Sequence, residues 1–218
     1  MALPSMVITV TLHAFVDESR RKSTYLVAAV LVDPKDLPRL RKLLYGLLFP
    51  GQRESHFKKE TPERRRLIVS RLSEAGIGVR ASTARSCTNG DDAARQDCPT
   101  KLALDLVTVG AARLVLDTRE DRDIHDVHTI RAVLGKQPKR SSMTYEHVVS
   151  STERLPWIAA AVAWCYGAGG DWLRRAENVI SGVVDLDDWV WTTRNPAADR
   201  PDVSWVHSLG LRSLSEDH

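Results

Sequence analysis

The sequence predicts a mixed α/β fold, in which a sheet begins as an antiparallel hairpin and is then flanked by helices. Two apolar runs, Met6 to Val16 and Ser23 to Val32, are joined by a short basic turn, as expected of paired antiparallel strands. Helix-like and strand-like segments alternate after them, which favours a mixed sheet covered by helices. With 218 residues, 43% of them hydrophobic, the chain can form one domain with a substantial core.

The remaining elements follow from hydrophobic spacing and from helix start and stop signals. Leucines at helical spacing predict a helix over 36–48, and Thr61-Pro62-Glu63 has the capping residues of a helix start. The other predicted elements are strands at 77–83, 112–116 and 143–149, helices at 62–75, 101–109, 124–134 and 155–168, and a loop at 85–99. Residues 1–190 are expected to form the domain, and residues 191–218 an irregular or wrapping tail.

Composition sets limits on compartment and partners. The net charge of +3 permits a nucleic-acid partner without requiring one. Three irregularly spaced cysteines (Cys87, Cys98 and Cys165) indicate reduced thiols, and no signal peptide is visible, so a cytoplasmic protein is expected. No apolar run reaches the length of a membrane span, so no membrane partner is expected, whereas a homodimer stays open. Neither a phosphate-binding GxxxxGK[ST] loop nor a GxSxG elbow is present.

Acidic residues follow two separate predicted strands. Asp17-Glu18 closes the first strand and Asp117 closes the strand at 112–116, while Glu54 lies in a loop before a helix. Divalent cations such as Mg or Mn prefer clustered carboxylate oxygens, and such ions assist phosphoryl transfer. These carboxylates predict a metal site if their strands are neighbours in the sheet. The alternative is that each acid simply begins a turn, as Asp commonly does.

The histidines are ambiguous. His56, close to Glu54, has the chemistry of a general base or a metal ligand, although a single loop histidine is more often a polar surface residue. His125 and His128 are three residues apart on one predicted helix, and without a third ligand they are interpreted as a surface pair. His13 has the same strand parity as Asp17, so the two are expected on one face of the sheet.

Basic residues border the acidic segments. A positive rim around a negative centre suits a nuclease, because the rim binds phosphates and the centre binds metal. The predicted nucleic-acid-binding residues are Arg20, Arg21, Lys22, Lys58 and Lys59. The alternative reading is a solvated helix face, and it is favoured for Arg64-Arg65-Arg66 taken alone.

Four short motifs, in this order, carry a family resemblance over roughly residues 8–170. They are Val16-Asp17-Glu18-Ser19, Tyr25-Leu26-Val27-Ala28-Ala29-Val30, Glu54-Ser55-His56-Phe57 and Leu114-Val115-Leu116-Asp117. Together they resemble the domain-of-unknown-function 3800 family, which is taken to have an RNase H-like fold. The resemblance implies an acidic site of Asp17, Glu54 and Asp117, completed by an aspartate on the last helix.

That aspartate position corresponds to Ala160 in this sequence. Loss of one carboxylate removes a ligand and a negative charge, so metal affinity and rate should fall. Drift into a non-catalytic binder and an inactivating substitution both fit the run of three alanines at 159–161.

The resulting hypothesis is a metal-dependent nuclease-like hydrolase, weakly active or inactive because of Ala160. Asp17 and Asp117 would be metal ligands, Glu54 a ligand or water-orienting group, and His56 a proton-transfer or phosphate-binding group. The alternative is a binding module for nucleic acid or protein on the same fold, without chemistry. A third interpretation, a carboxylate-pair hydrolase acting on a sugar or small ester, would need two carboxylates at a defined separation.

Overall fold

The computed structural model describes residues 12–21, 24–85, 91–118 and 143–186. The predicted helix at 124–134 with its two histidines lies outside these residues, as do Lys22, Cys87 and the tail at 191–218. None of the helices in the described ranges combines the length and the apolar character that crossing a membrane requires.

In the described ranges, six strands form one mixed sheet with the order β5-β4-β1-β2-β3-β6. Their bounds are β1 Leu12–Arg21, β2 Thr24–Val32, β3 Gly78–Arg85, β4 Ala111–Asp117, β5 Thr144–Val148 and β6 Ile180–Asp185. β2 pairs antiparallel with β1 and β3, whereas the β1–β4, β4–β5 and β3–β6 pairs are parallel. The predicted antiparallel hairpin and mixed α/β class are therefore confirmed.

Helices cover both faces of this sheet. The described helices are α1 Leu37–Gly46, α2 Pro62–Glu74, α3 Asp91–Thr108, α4 Pro156–Ala168 and α5 Gly170–Ala176. One core contains apolar side chains of α1, α2 and α4, and the other contains those of α3. Because successive strand residues point to opposite faces, Phe15 belongs to the first core and Val16 to the second. This alternation decides on which side each candidate residue lies.

Two predictions about local structure are wrong. β1 continues to Arg21, so Asp17 and Glu18 lie inside a strand and Glu18 is not a turn residue. The predicted loop at 85–99 is helical from Asp91 onward, with Pro99 inside α3. Proline normally disrupts a helix interior, but Cys98, Leu102 and Leu106 recur every four residues and are all buried against the sheet.

Candidate functional site

Asp17 and Asp117 lie side by side on the adjacent parallel strands β1 and β4. Val16 of β1 pairs with Leu116 of β4, and each aspartate is the next residue of its strand. Both aspartates have the parity of Phe15 and Val115, which belong to the core beneath α4. Neighbouring strands are about 4.8 Å apart, so two carboxylates meet where β4 ends. The sequence predicted these residues as a pair, and the strand order explains how they meet.

Local hydrogen bonds orient both aspartates. The backbone N–H of Glu18 donates to Oδ1 of Asp17 at 2.7 Å. The Ser150 hydroxyl, just beyond β5, donates to Oδ2 of Asp117. Each bond fixes the orientation of the carboxylate that accepts it. Ser150 was not predicted as a site residue, since its position depends on the pairing of β4 with β5.

Glu18 points to the other face of β1 and accepts a hydrogen bond from the Tyr25 hydroxyl on β2. It nevertheless borders the same pocket as the two aspartates. This pocket, of about 40 Å³, is lined by Val16, Asp17, Glu18, Val27, Pro99, Leu102, Ala103, Leu106, Leu114, Leu116 and Asp117. The pocket lies between α3 and the sheet, on the face of Glu18, whereas strand parity assigns the Asp17 and Asp117 side chains to the opposite face.

Glu54 and His56 form a separate pair on the surface. Nε2 of His56 is 2.8 Å from Oε1 of Glu54, and their side chains are 53% and 39% exposed. Phe57 follows directly, is buried, and packs edge-on against Trp164 of α4 with ring centroids 5.5 Å apart. The pair is thus fixed to the α4 side of the molecule. Whether it serves the site together with Asp17 stays a prediction.

α4 packs along β1, and the two elements run in the same direction. At the end of α4, a Cβ added to Gly167 would lie 3.6 Å from the side chain of Arg21, the last residue of β1. Just before the start of α4, Glu153 forms an ion pair with Arg41 of α1.

Ala160 lies midway along α4, and Asp17 lies midway along β1. Ala160, Trp164 and Gly167 are spaced as one stripe of the helix, and Trp164 and Gly167 both adjoin Arg21. Ala160 is partly exposed, whereas its neighbours Ala159 and Ala161 are buried. The stripe containing Ala160 therefore faces the row of β1 side chains to which Asp17 belongs.

The predicted basic rim is divided between two segments. Arg20 and Arg21 end β1 and are exposed. Lys58 and Lys59 are exposed on a single 3-10 turn at Phe57–Lys59. Within the described part of the chain, neither lysine ammonium has a carboxylate within 4.0 Å. These two lysines are available to bind anions.

The donor set fits a divalent cation, although the described residues contain no group of three or more His, Cys, Asp or Glu side chains arranged around one point. Asp17 and Asp117 supply hard carboxylate oxygens on adjacent strands. Mg²⁺ commonly binds through one or two carboxylates and retains several waters. Two adjacent aspartates are therefore a sufficient protein contribution for such an ion.

The fold is similar to that of a chain in the PCNA:RNase HII complex from Archaeoglobus fulgidus. The TM-score is 0.51 at 17% sequence identity, over 72% of this chain and 73% of that chain. The protein therefore has an RNase H-like fold, as the sequence predicted. No model of a protein family matches the sequence, and no curated protein does.

Proposed function

We propose that this protein is a metal-dependent nuclease-like hydrolase acting on phosphodiester bonds of nucleic acid, and that it belongs to the domain-of-unknown-function 3800 family. The observation that carries the proposal is the adjacency of Asp17 and Asp117 on the parallel strands β1 and β4 of an RNase H-like sheet. A bound Mg or Mn ion would stabilise the negative charge that develops on the phosphate.

In this proposal the site residues have different roles. Asp17 and Asp117 would hold the ion, with their carboxylates oriented by the Glu18 N–H and the Ser150 hydroxyl. A water would attack phosphorus and give up a proton, one phosphorus–oxygen bond would break, and the leaving oxygen would take up a proton. His56, oriented by Glu54, is the group that we assign to proton transfer or to phosphate binding.

Ala160 limits this activity in the protein as it stands. A carboxylate at position 160 would project from the α4 stripe that faces the row of Asp17. Without it, the ion has one fewer ligand and the site less negative charge. Weak or undetectable hydrolysis is therefore expected from the unmodified chain.

The test is to compare the unmodified protein with Ala160→Asp on single- and double-stranded DNA and RNA in the presence of Mn. We expect Ala160→Asp to raise the cleavage rate by about a hundredfold, the low end of what one electrostatic contact to the transition state contributes. The matched control is Ala168→Asp, which adds the same charge two turns further along α4.

Adding Asp17→Asn to Ala160→Asp should abolish the gain, because the amide removes the charge that holds the ion. Equal rates for the Ala160 and Ala168 variants would contradict the assignment of position 160. Absence of both cleavage and metal binding in every variant would sink the nuclease proposal.

The second candidate is a binding module that recognises nucleic acid or a protein without chemistry. The alanine at position 160 favours it, since the implied catalytic set is incomplete. It predicts nucleic-acid binding that depends on salt and is unchanged by removal of metal with EDTA. Cleavage by Ala160→Asp would not decide between the two for the unmodified chain, whereas cleavage by the unmodified chain would exclude this candidate.

A further inference from the structure

Trp164 of α4 is the centre of a cluster that the sequence did not predict. The Arg65 and Arg21 guanidinium carbons lie 4.3 Å and 5.4 Å from its ring centroid. Phe57 and Trp172 meet it edge-on, with ring centroids 5.5 Å and 5.4 Å away. The ring therefore connects the end of β1, the 3-10 turn, α2 and α5. An aromatic ring at this position restricts two cations by cation–π contacts.

Arg65 fixes the turn that carries the two lysines. Its Nε donates to the Phe57 carbonyl at 2.9 Å, and its Nη2 donates to the Lys58 carbonyl at 2.6 Å. The backbone of the turn is thereby bound to α2, while the Lys58 and Lys59 side chains stay exposed. Arg65, which stacks on Trp164, thus fixes the backbone from which both lysine side chains extend.

The positive charge continues across α2 onto α5. Hydrogen bonding from Arg175 lowers the pKa of Asp171, and the charges of Arg175, Arg174 and Arg66 lower it further. α2 packs against α5, so Arg66 and Arg174 are carried by two helices in contact. The Arg66 and Arg174 side chains are 49% and 76% exposed, so both reach solvent.

We propose that this cationic surface, running from Arg21 and the Lys58-Lys59 turn across α2 to Arg66 and Arg174, binds the phosphate backbone of a nucleic acid. The inference deepens the proposed function and rests on it for the identity of the partner. Trp164 is a positioning residue within the surface. Trp164 lies on the face of the sheet to which strand parity assigns the Asp17 side chain. The nucleic-acid backbone would therefore be held beside Asp17 and Asp117.

The charge pattern favours a polyanion over an acidic protein. The cations come from four elements and are spread along a track, whereas a single carboxylate would need only one bidentate arginine. Arginine and lysine that neutralise phosphates release condensed counterions, so binding strength falls steeply with salt. This dependence provides a quantitative readout.

The experiment measures anisotropy of labelled single- and double-stranded oligonucleotides with the full chain, in EDTA, over about 50–200 mM NaCl. The test variant is Arg66→Gln with Arg174→Gln. The control is Arg39→Gln with Arg71→Gln, which removes the same charge from two arginines that also pair with acids three residues away. The Arg39 side chain, from α1, donates to the Ala75 carbonyl, so both control side chains lie near the C-terminal end of α2.

We expect the test variant to weaken binding by about tenfold or more near 100 mM salt. The slope of log K against log salt should fall by about 1.8 on duplex or about 1.4 on single strands, since two phosphate contacts are lost. The control should leave both quantities unchanged.

Trp164→Leu should lower the slope although it removes no charge, while Trp164→Phe should keep it because an aromatic ring remains. Circular dichroism must show that both variants are folded. A slope lowered equally by both Trp164 variants would overturn the positioning role.

Failure of this inference and failure of the proposed function give different results. If Lys58→Gln with Lys59→Gln lowers the slope but the Arg66 and Arg174 variant does not, the surface does not extend onto α5 and the inference is wrong. If the unmodified chain binds none of the oligonucleotides, the nucleic-acid partner itself is wrong. Retention of cleavage by Ala160→Asp together with unchanged slopes would refute only the surface.

Discussion

At the scale of single residues, parity along β1 assigns the candidate side chains to faces. Asp17 shares its parity with His13 and Phe15, whereas Glu18 shares it with Val16. The sequence predicted the first relation, because alternation is a local property of an extended chain. It did not predict that Glu18 binds the Tyr25 hydroxyl, because that contact depends on the register between β1 and β2.

His13 provides a prediction about stability and pH. Burial and the charges of Arg113 and Arg41 lower its pKa below the usual 6.5, against the opposing charge of Glu146. A histidine with a lowered pKa in the folded state binds more protons when unfolded. The contribution of neutral His13 to the free energy of unfolding is fully present above pH 6.5 and is lost as the pH falls below that value.

His13→Gln should therefore reduce the loss of stability between about pH 8 and about pH 5.5. Urea unfolding midpoints of both proteins at the two pH values measure this. His56→Gln is the control, since that histidine is exposed and paired with Glu54. An equal loss of stability in the unmodified protein and in His13→Gln would contradict the assignment.

At the scale of elements, helix starts were predicted better than helix interiors. The start of α2 is as expected: Thr61 caps it by accepting from the Arg64 N–H at 3.3 Å, and Pro62 follows. The prediction for the start of α3 was wrong because residues 85–99 are rich in Asn, Gly and Asp, a composition typical of a loop. β6 and α5 were not predicted, since their pairing with β3 and packing on α4 are not local in sequence.

Thr61→Ala should destabilise the protein by about 1 kcal/mol, because the Arg64 N–H loses its side-chain acceptor. Thr61→Ser keeps the hydroxyl and should lower the free energy of unfolding by only a few tenths of that amount. Denaturant unfolding under two-state conditions measures the difference. If Thr61→Ala and Thr61→Ser are equally stable, the cap does not contribute to the stability of α2.

At the scale of the whole molecule, the mixed α/β class was predictable because the order of elements restricts the sheets that can form. The RNase H-like fold was also predicted, from the four motifs that carry the family resemblance. The pairing of Asp17 with Asp117 was expected only if β1 and β4 were neighbours, and the sheet order supplies that condition. The Trp164 cluster lay beyond sequence reasoning, because its members come from five elements between residues 21 and 172.

Metal binding should stabilise the whole fold. Two adjacent carboxylates repel each other, and an ion that binds only the folded state raises stability by about 2.7 kcal/mol at 100 times its Kd. For a chain of this size the melting temperature should rise by roughly 5–10 °C with excess Mn. Thermal unfolding of the unmodified protein and of Asp17→Asn measures this, and an equal rise in both would show that Mn binds elsewhere.

The continuation of β1 beyond the end of β4 has a consequence for the distance between acid and cation. Asp17 and Arg21 are four residues apart on one strand, so about 13 Å of rigid backbone separates the acidic pair from the cationic surface. An inserted residue would turn Arg21 to the opposite face, and only two would restore it. The distance along β1 between Asp17 and Arg21 can therefore change only in steps of about 6.6 Å if both side chains are to stay on one face.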